Sequence, residues 1–303
     1  MSENAVDLRR KIGGAGELQS VVKAMKALAA SSIGQYEKSV NALADYSRTI
    51  EMGLTVCFRH IEPAATIAER NGKTGGAGIG AVVFGSDQGL VGQFNEVIAE
   101  YATKEISTFS AKPRIWAVGE RVHARLLDAG LDPVGLYGVP NSVQEITPLI
   151  GAILVAGRAD NEPGEAGELH LFYNRPKTGK SYFPVSQRLL PLDEKWLRKL
   201  AARPWPTVNL PEVLGARATT LRTLIREYLF ISMFRACAES LASENASRLE
   251  AMQRAEKNID ELLEELNTTY HRLRQSGIDA ELFDVIAGFE ALNYKKPQPQ
   301  SSF

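Results

Sequence analysis

Apolar positions in the last third of the chain recur at alternating intervals of four and three. Ala238, Ala242, Asn245, Leu249, Met252, Glu256, Ile259, Leu263, Leu266, Tyr270, Leu273 and Gly277 form one series whose sole charged member is Glu256. This is the seam pattern of a coiled coil. The N-terminal flank carries a weaker copy in Leu18, Val22, Met25, Ala29, Ser32, Tyr36, Leu43 and Ile50, with Ala29 and Ser32 small enough for a partner helix to come close. Of the 14 prolines, 12 lie between Pro63 and Pro211, and the others are Pro297 and Pro299. Proline inside a helix costs about 3 kcal/mol, so the two proline-free flanks read as helices around a globular middle.

A helix over 212–276 would be about 97 Å long, or about 120 Å if continued to 292, against a radius of gyration of about 19 Å for a compact globule of this length. Such a helix is expected to project as a rod, with the N-terminal flank as its antiparallel partner. A capping box is predicted at its start from Asn209 and Glu212, with Pro211 in the tolerant first turn. Gly13, Gly14 and Gly16 are expected to bend or locally break the first helix, at about 1 kcal/mol each against alanine.

Between the flanks the period changes. Ile79–Gly85, Arg114–Gly119, Glu168–Asn174 and Tyr182–Leu192 read as strands, and Gln93–Phe109, Glu120–Ala129 and Val143–Gly157 as helices. Alternation of this kind predicts a small, mostly parallel α/β domain of Rossmann-like type. The expected class is therefore mixed α and β. An N-terminal coiled-coil helix covers 1–62, the middle domain 77–200, a C-terminal coiled-coil helix 209–292, and a flexible polar tail 293–303. The glycine-rich stretch 69–80 reads as the entry linker.

Charge and chemistry narrow the function. Lys plus Arg number 35 and Asp plus Glu 36, a net charge of -1, which lacks the basic excess of a nucleic-acid or anionic-membrane binder. Two cysteines, Cys57 and Cys237, make no disulfide framework and point to a reducing compartment. The N-terminus reads as no secretory signal, and no apolar run is long enough to span a bilayer. Gly72-Lys73-Thr74 and Gly179-Lys180-Ser181 end like phosphate-binding loops. Ile67 and Asn174 stand where the earlier glycine belongs, however, and neither string leads from a strand into a helix. His60, His123, His170 and His271 lack partners at metal-ligand spacing. Residues 212–292 hold 14 acidic against 9 basic side chains, and Glu261, Glu264 and Glu265 are spaced for a solvated stripe, not for shared-proton chemistry. No catalytic, cofactor or metal residue is expected.

Three groups of residues carry a family resemblance. Leu8-Arg9-Arg10-Lys11-Ile12 and Val22-Lys23-Ala24-Met25-Lys26-Ala27-Leu28-Ala29-Ala30-Ser31 resemble the first helix of the gamma subunit of F-type rotary ATP synthases. The run from Val82 to Asn95, containing Gly85-Ser86-Asp87-Gln88-Gly89-Leu90, is similar to that family's strand and loop opening its middle domain, and Leu189-Leu190-Pro191-Leu192 to its closing strand. Leu241-Ala242-Ser243-Glu244-Asn245-Ala246, Leu249-Glu250-Ala251-Met252, Tyr270, Arg274-Gln275 and Glu281-Leu282 fall at the spacing of its C-terminal helix. Together these cover about residues 6–292.

The resemblance implies a non-catalytic central-stalk rotor, peripheral on the cytoplasmic face of a bacterial inner membrane. It would couple proton or sodium translocation to ATP synthesis or hydrolysis. The implied partners are the alpha and beta subunits of the catalytic hexamer, an epsilon subunit and the membrane ring of c subunits. Lys23, Met25 and Lys26 are expected to face acidic levers of the catalytic subunits, and Arg274 and Gln275 a loop higher up the shaft. Ile286, Phe289 and Leu292 are expected to seat in an apolar collar, with the tail passing beyond it. Some positions depart from the family pattern. The basic run after the first Ala-Ala-Ser is nearly uncharged, and the loop has Gln88, Val91 and Gln93 for the usual Arg, Cys and Gly. Asp279 replaces the usual Thr. A coiled-coil tether unrelated to ATP synthesis would explain the helices without explaining the middle-domain residues.

Overall fold

The computed structural model describes residues 3–59, 78–157, 167–177, 180–192, scattered positions between 196 and 216, and 217–294. The elements are α1 (Glu3–Arg59), β1 (Ile79–Phe84), α2 (Phe94–Ile106), β2 (Arg114–Val118), α3 (Glu120–Asp128), β3 (Gly135–Tyr137), α4 (Val143–Ala156), β4 (Glu168–Lys177), β5 (Lys180–Leu190) and α5 (Arg217–Tyr294). They fall into two compact units, Met1–Ala27 with Met252–Phe303, and Leu28–Ala251.

The larger unit is built on one five-stranded sheet in the order β3-β2-β1-β4-β5. β1 pairs in parallel with β2 and β4, and β2 with β3, while β4 and β5 form an antiparallel hairpin. Val82 and Phe84 of β1 point to one face, where Ile146, Ile150 and Ile153 of α4 and Met233, Cys237 and Leu241 of α5 cover them. Ala81 and Val83 point to the other, against Ile98, Ala102, Val122 and Leu126 of α2 and α3. A central strand covered on both sides has no polar alternation, so β1 is apolar throughout. In the same unit α1 lies antiparallel to α5. Tyr46 Oη donates to Glu227 Oε2 at 3.1 Å, and Gly53 is so near Leu224 that a Cβ would come within 3.1 Å of its methyls.

The smaller unit is a helix pair. Gln19 reaches Asp260 and, seven residues on, Lys26 reaches Glu256, which fixes an antiparallel register. On α5 the covered positions include Met252, Glu256, Ile259, Leu263, Leu266, Tyr270 and Leu273, members of the predicted series, with Ala255 and Thr269 half-buried beside them. On α1 Ala5, Leu8, Ile12, Ala15, Gln19, Val22 and Lys26 form a three-four series of covered positions, with Asp7, Gly16 and Met25 half-buried at its edges. Leu18, read from sequence as a seam residue, is instead 60% exposed.

Three expectations are corrected. The C-terminal helix does not start at a capping box on Asn209 and Glu212. Residues 211–213 are non-helical, Gly215 sits at φ +84, and α5 begins after Ala216, whose carbonyl accepts from Thr219 and Thr220 at 2.9 and 3.2 Å. A left-handed glycine next to the first turn resets the chain direction there, so the earlier capping pair is not used. β3 was missed because Gly-Leu-Tyr is too short to show a period. Finally, α1 continues through Gly13, Gly14 and Gly16 without a break, since the neighbouring Ile12, Ala15 and Gln19 are held in the seam. Residues 69–77 of the expected linker and the tail from 295 lie outside the described residues.

A Cβ added at Gly13, Gly14 or Gly16 would meet nothing within 4 Å. Alanine at each should therefore stabilise the segment by about 1 kcal/mol without clash. Amide exchange across residues 8–20 is expected to slow about fivefold per substitution. Unchanged exchange in the triple variant would show that the glycines cost the helix nothing.

Candidate functional site

The residues expected to meet partners all belong to the smaller unit. Lys23 is exposed, Met25 is half-buried beside the seam, and Lys26 is half-buried with its ammonium on Glu256. Within the chain itself, Lys26 is therefore committed to an ion pair with α5. Arg274 and Gln275 begin a stretch in which every residue through 291 is exposed. Ile286 and Phe289 lie in it, 46% and 66% exposed, while the side chain of Leu292 lies outside the described residues.

That stretch holds more apolar surface than the three positions read from sequence. Ile278, Leu282, Phe283 and Val285 are also exposed, and Ile278, Leu282, Val285 and Phe289 repeat at four-three-four. The signal was present in sequence but reads as a continuing seam, shifted by one residue after Gly277. Among the described residues nothing covers these six large apolar side chains on one helix end, and exposed apolar patches of this kind mark interaction sites. Leu18 and Val21 on the outer face of α1 are exposed in the same unit.

In the larger unit, the loop after β1 is a structural joint. Ser86 N donates to Asn95 Oδ1 at 2.9 Å and Asn95 Nδ2 donates back to Ser86 Oγ at 2.8 Å. Asp87 accepts from the amides of Glu120 and Val139 at 2.9 and 2.8 Å, tying the loop to the starts of α3 and the 139–141 turn. Gly85 and Gly119 are required here. A Cβ on Gly85 would lie 2.3 Å from Val122, and Gly119, at φ +116, would strike Ser86 at 2.8 Å. Three of the departures from the family pattern sit around this joint: Val91 is buried, Gln93 precedes the first turn of α2, and Gln88 lines a cleft.

α5 is bolted to the sheet at two levels. Arg175 of β4 donates to Glu239 Oε2 at 2.9 Å, while Arg235 donates to the other oxygen at 2.7 Å. Farther along, Ser247 Oγ donates to the carbonyl of Val91 at 2.5 Å. Between them lies a cleft of about 200 Å³ lined by Ser32, Tyr36, Asp87, Gln88, Glu244 and Arg248. Arg248 Nη2 donates to Glu244 Oε1 at 2.6 Å. Burial pushes the Glu244 carboxyl up to about 7 from its ordinary 4.5; Arg248 opposes the shift and Asp87 adds to it.

Comparison with known proteins places these features. The family model described as ATP synthase matches residues 4–292. The ATP synthase gamma chain of Nitrosomonas eutropha is 28% identical, covering 94% of this chain and 98% of that one. That of Desulforamulus reducens is 29% identical, covering 95% and 99%. The chain belongs to the ATP synthase gamma family. It is a central-stalk rotor subunit of an F-type ATP synthase, peripheral to the membrane complex, and among its described residues no helix is long and apolar enough to cross a membrane. Its fold is shared with a chain of the Euglena gracilis mitochondrial ATP synthase at a TM-score of 0.62 and 18% identity, covering 99% of both chains. The loop at 85–95 and the 239–248 segment of α5 tie the long helix to the sheet, and among the described residues nothing covers the end of α5.

The Glu244 site makes a pH prediction. Its folded-state pKa is raised, so its stabilising contribution is complete below about pH 4.5 and is lost as pH rises through about 7. Glu244→Gln should remove that dependence. Relative to the wild type, the variant is expected to gain up to about 3 kcal/mol in urea unfolding between about pH 5 and 8. Parallel stability curves across that range would contradict the assignment.

Proposed function

We propose that this gamma chain is a non-catalytic rotor whose exposed α5 end turns inside a hexamer of alpha and beta subunits on the cytoplasmic face of a bacterial membrane. It couples proton or sodium translocation to ATP synthesis or hydrolysis. The observation that carries this is the exposed apolar stretch from Ile278 to Phe289, which the chain itself leaves uncovered. Named relatives are ATP synthase gamma chains over nearly their full length, and the fold is that of chains solved in assemblies described as central stalk with c-ring and as rotor. The partners on this reading are the catalytic hexamer, an epsilon subunit and the ring of c subunits.

Lys23, Met25, Lys26, Arg274, Gln275, Ile286, Phe289 and Leu292 are the proposed contacts. Exposure of Lys23, Arg274 and Gln275 supports this; Lys26 is also paired with Glu256 of α5. Rotation works by differential binding: each shaft angle favours one conformation of a catalytic subunit over the others and so shifts its population.

Co-purification from the native membrane tests the reading. Recovery of a nucleotide-binding hexamer with one copy of this chain per three catalytic subunits is expected, together with no ATP turnover by the isolated chain. Turnover retained after removal of every partner would overturn the non-catalytic role. Within the complex, Phe289→Asp should weaken seating by about 2–3 kcal/mol, because a buried phenyl is lost and a carboxylate enters an apolar sleeve. Proton or sodium pumping is expected to fall at least tenfold relative to ATP hydrolysis. Deleting 295–303 should leave both within about twofold, a change near 0.4 kcal/mol. Normal seating of Phe289→Asp would count against the placement of this end.

A further inference from the structure

Over residues 15–26 α1 offers two faces to α5, and the one turned fully to the seam is the more polar of the two in this stretch; nearer the N-terminus Leu8 and Ile12 are covered on that same face. One face carries Leu18, Val22 and Met25; the other carries Ala15, Gln19, Val22 and Lys26. At about 100° per residue their centres lie about 60° apart around the helix, with Val22 common to both. Within residues 15–26 apolar burial favours the first face, since Leu18 would remove far more surface from water than Ala15 and the polar pair, and Met25 is only half-buried at its edge. Yet Ala15 is 6% exposed and Leu18 60%. Gln19 and Lys26 are turned inward, and each meets a carboxylate of α5: Gln19 reaches Asp260, and Lys26 reaches Glu256.

We infer that the Lys26–Glu256 ion pair, seconded by Gln19 and Asp260, sets the rotation of α1 about its own axis. Glu256 is the single charged position in the α5 seam, and its side chain is 18% exposed. Left facing an apolar helix, that carboxylate would be buried without a partner, which costs far more than a leucine at the surface gains. Turning Lys26 towards it removes the penalty and drags the helix about 60° round. Polar residues at seam positions fix orientation in this way at some expense in stability. The outcome is that Leu18 and Val21 stand outward. Lys26 and Glu256 are positioning residues, acting on that outer face without belonging to it.

Thiol labelling tests this in the full chain with buried Cys57 and Cys237 replaced by alanine. Single cysteines at Leu18 and Ala15 report the two faces by their rates of reaction with a maleimide. With the pair intact, position 18 should react at least tenfold faster than position 15. Glu256→Leu removes the buried carboxylate and adds apolar seam, so α1 should roll: the rate at 18 falls and that at 15 rises, narrowing or reversing the ratio. Glu256→Lys should do the same by repelling Lys26. Exchanging the charges, Lys26→Glu with Glu256→Lys, should restore the tenfold ratio. A ratio unmoved by both single substitutions, or one that the exchange does not restore, would overturn the inference. Should either single variant lose its helical signal, the other and the exchange pair decide by the same ratio.

Discussion

A two-helix pair with no third layer above it can bury only one narrow stripe on each helix. In the smaller unit every side chain off that stripe remains available to other molecules, and every side chain on it must fit a partner position. The stripe on α5 is rich in large apolar residues, whereas that on α1 is mostly alanine, small or polar. Packing area is therefore modest, and the few polar contacts within the seam decide more than they would in a thick core. The contrast between Lys23 and Lys26 follows. They are three residues apart on one helix, yet one ammonium is in solvent and the other is committed to Glu256.

The larger unit solves a different problem, attaching a helix to a sheet so that the two move as one. It does so with buried apolar contact on one sheet face, and with side chains that bridge elements far apart in sequence. Glu239 is held by guanidinium groups from β4 and from its own helix, and Ser247 reaches the loop after β1. That loop is in turn locked by Ser86, Asp87 and Asn95 onto three other elements. Charge-assisted bonds in partly desolvated places are directional, unlike apolar contact, and so resist twisting as well as separation.

The strands and helices of the middle domain were legible to within a few residues because each has a period or a continuous apolar run long enough to read. β3, with three residues, does not. The α5 seam was legible because its members are large. The α1 seam was misread at Leu18 because apolar periodicity cannot count an inward lysine or glutamine, and their partners, Glu256 and Asp260, lie more than two hundred residues away. The exposed apolar end was partly legible, with Ile286 and Phe289 found and Ile278, Leu282, Phe283 and Val285 passed over. A period reports which residues share a face, and only the absence of a covering helix shows that the face is bare. The joint was legible as a motif but not as a mechanism, since the roles of Ser86, Asp87 and Asn95 depend on amides supplied by α3 and the 139–141 turn.

The bare end of α5 has to satisfy two opposed demands. Six large apolar side chains between Ile278 and Phe289 suit a close-fitting partner, but on a free chain they invite self-association. Interleaved with them are Asp279, Glu281, Asp284 and Glu290, and from Gln275 to Ala291 there is no lysine or arginine. Like charge at that density makes two such ends repel at contact distance, where the apolar attraction acts, and the repulsion grows as water is excluded. A sleeve that lacks acidic groups meets no such barrier. The same residues therefore discourage pairing with a second copy and leave docking to a partner unopposed. This selectivity needs no specific hydrogen bond, and on the proposed seating a turning shaft is best served by a seat without directional bonds, which does not catch.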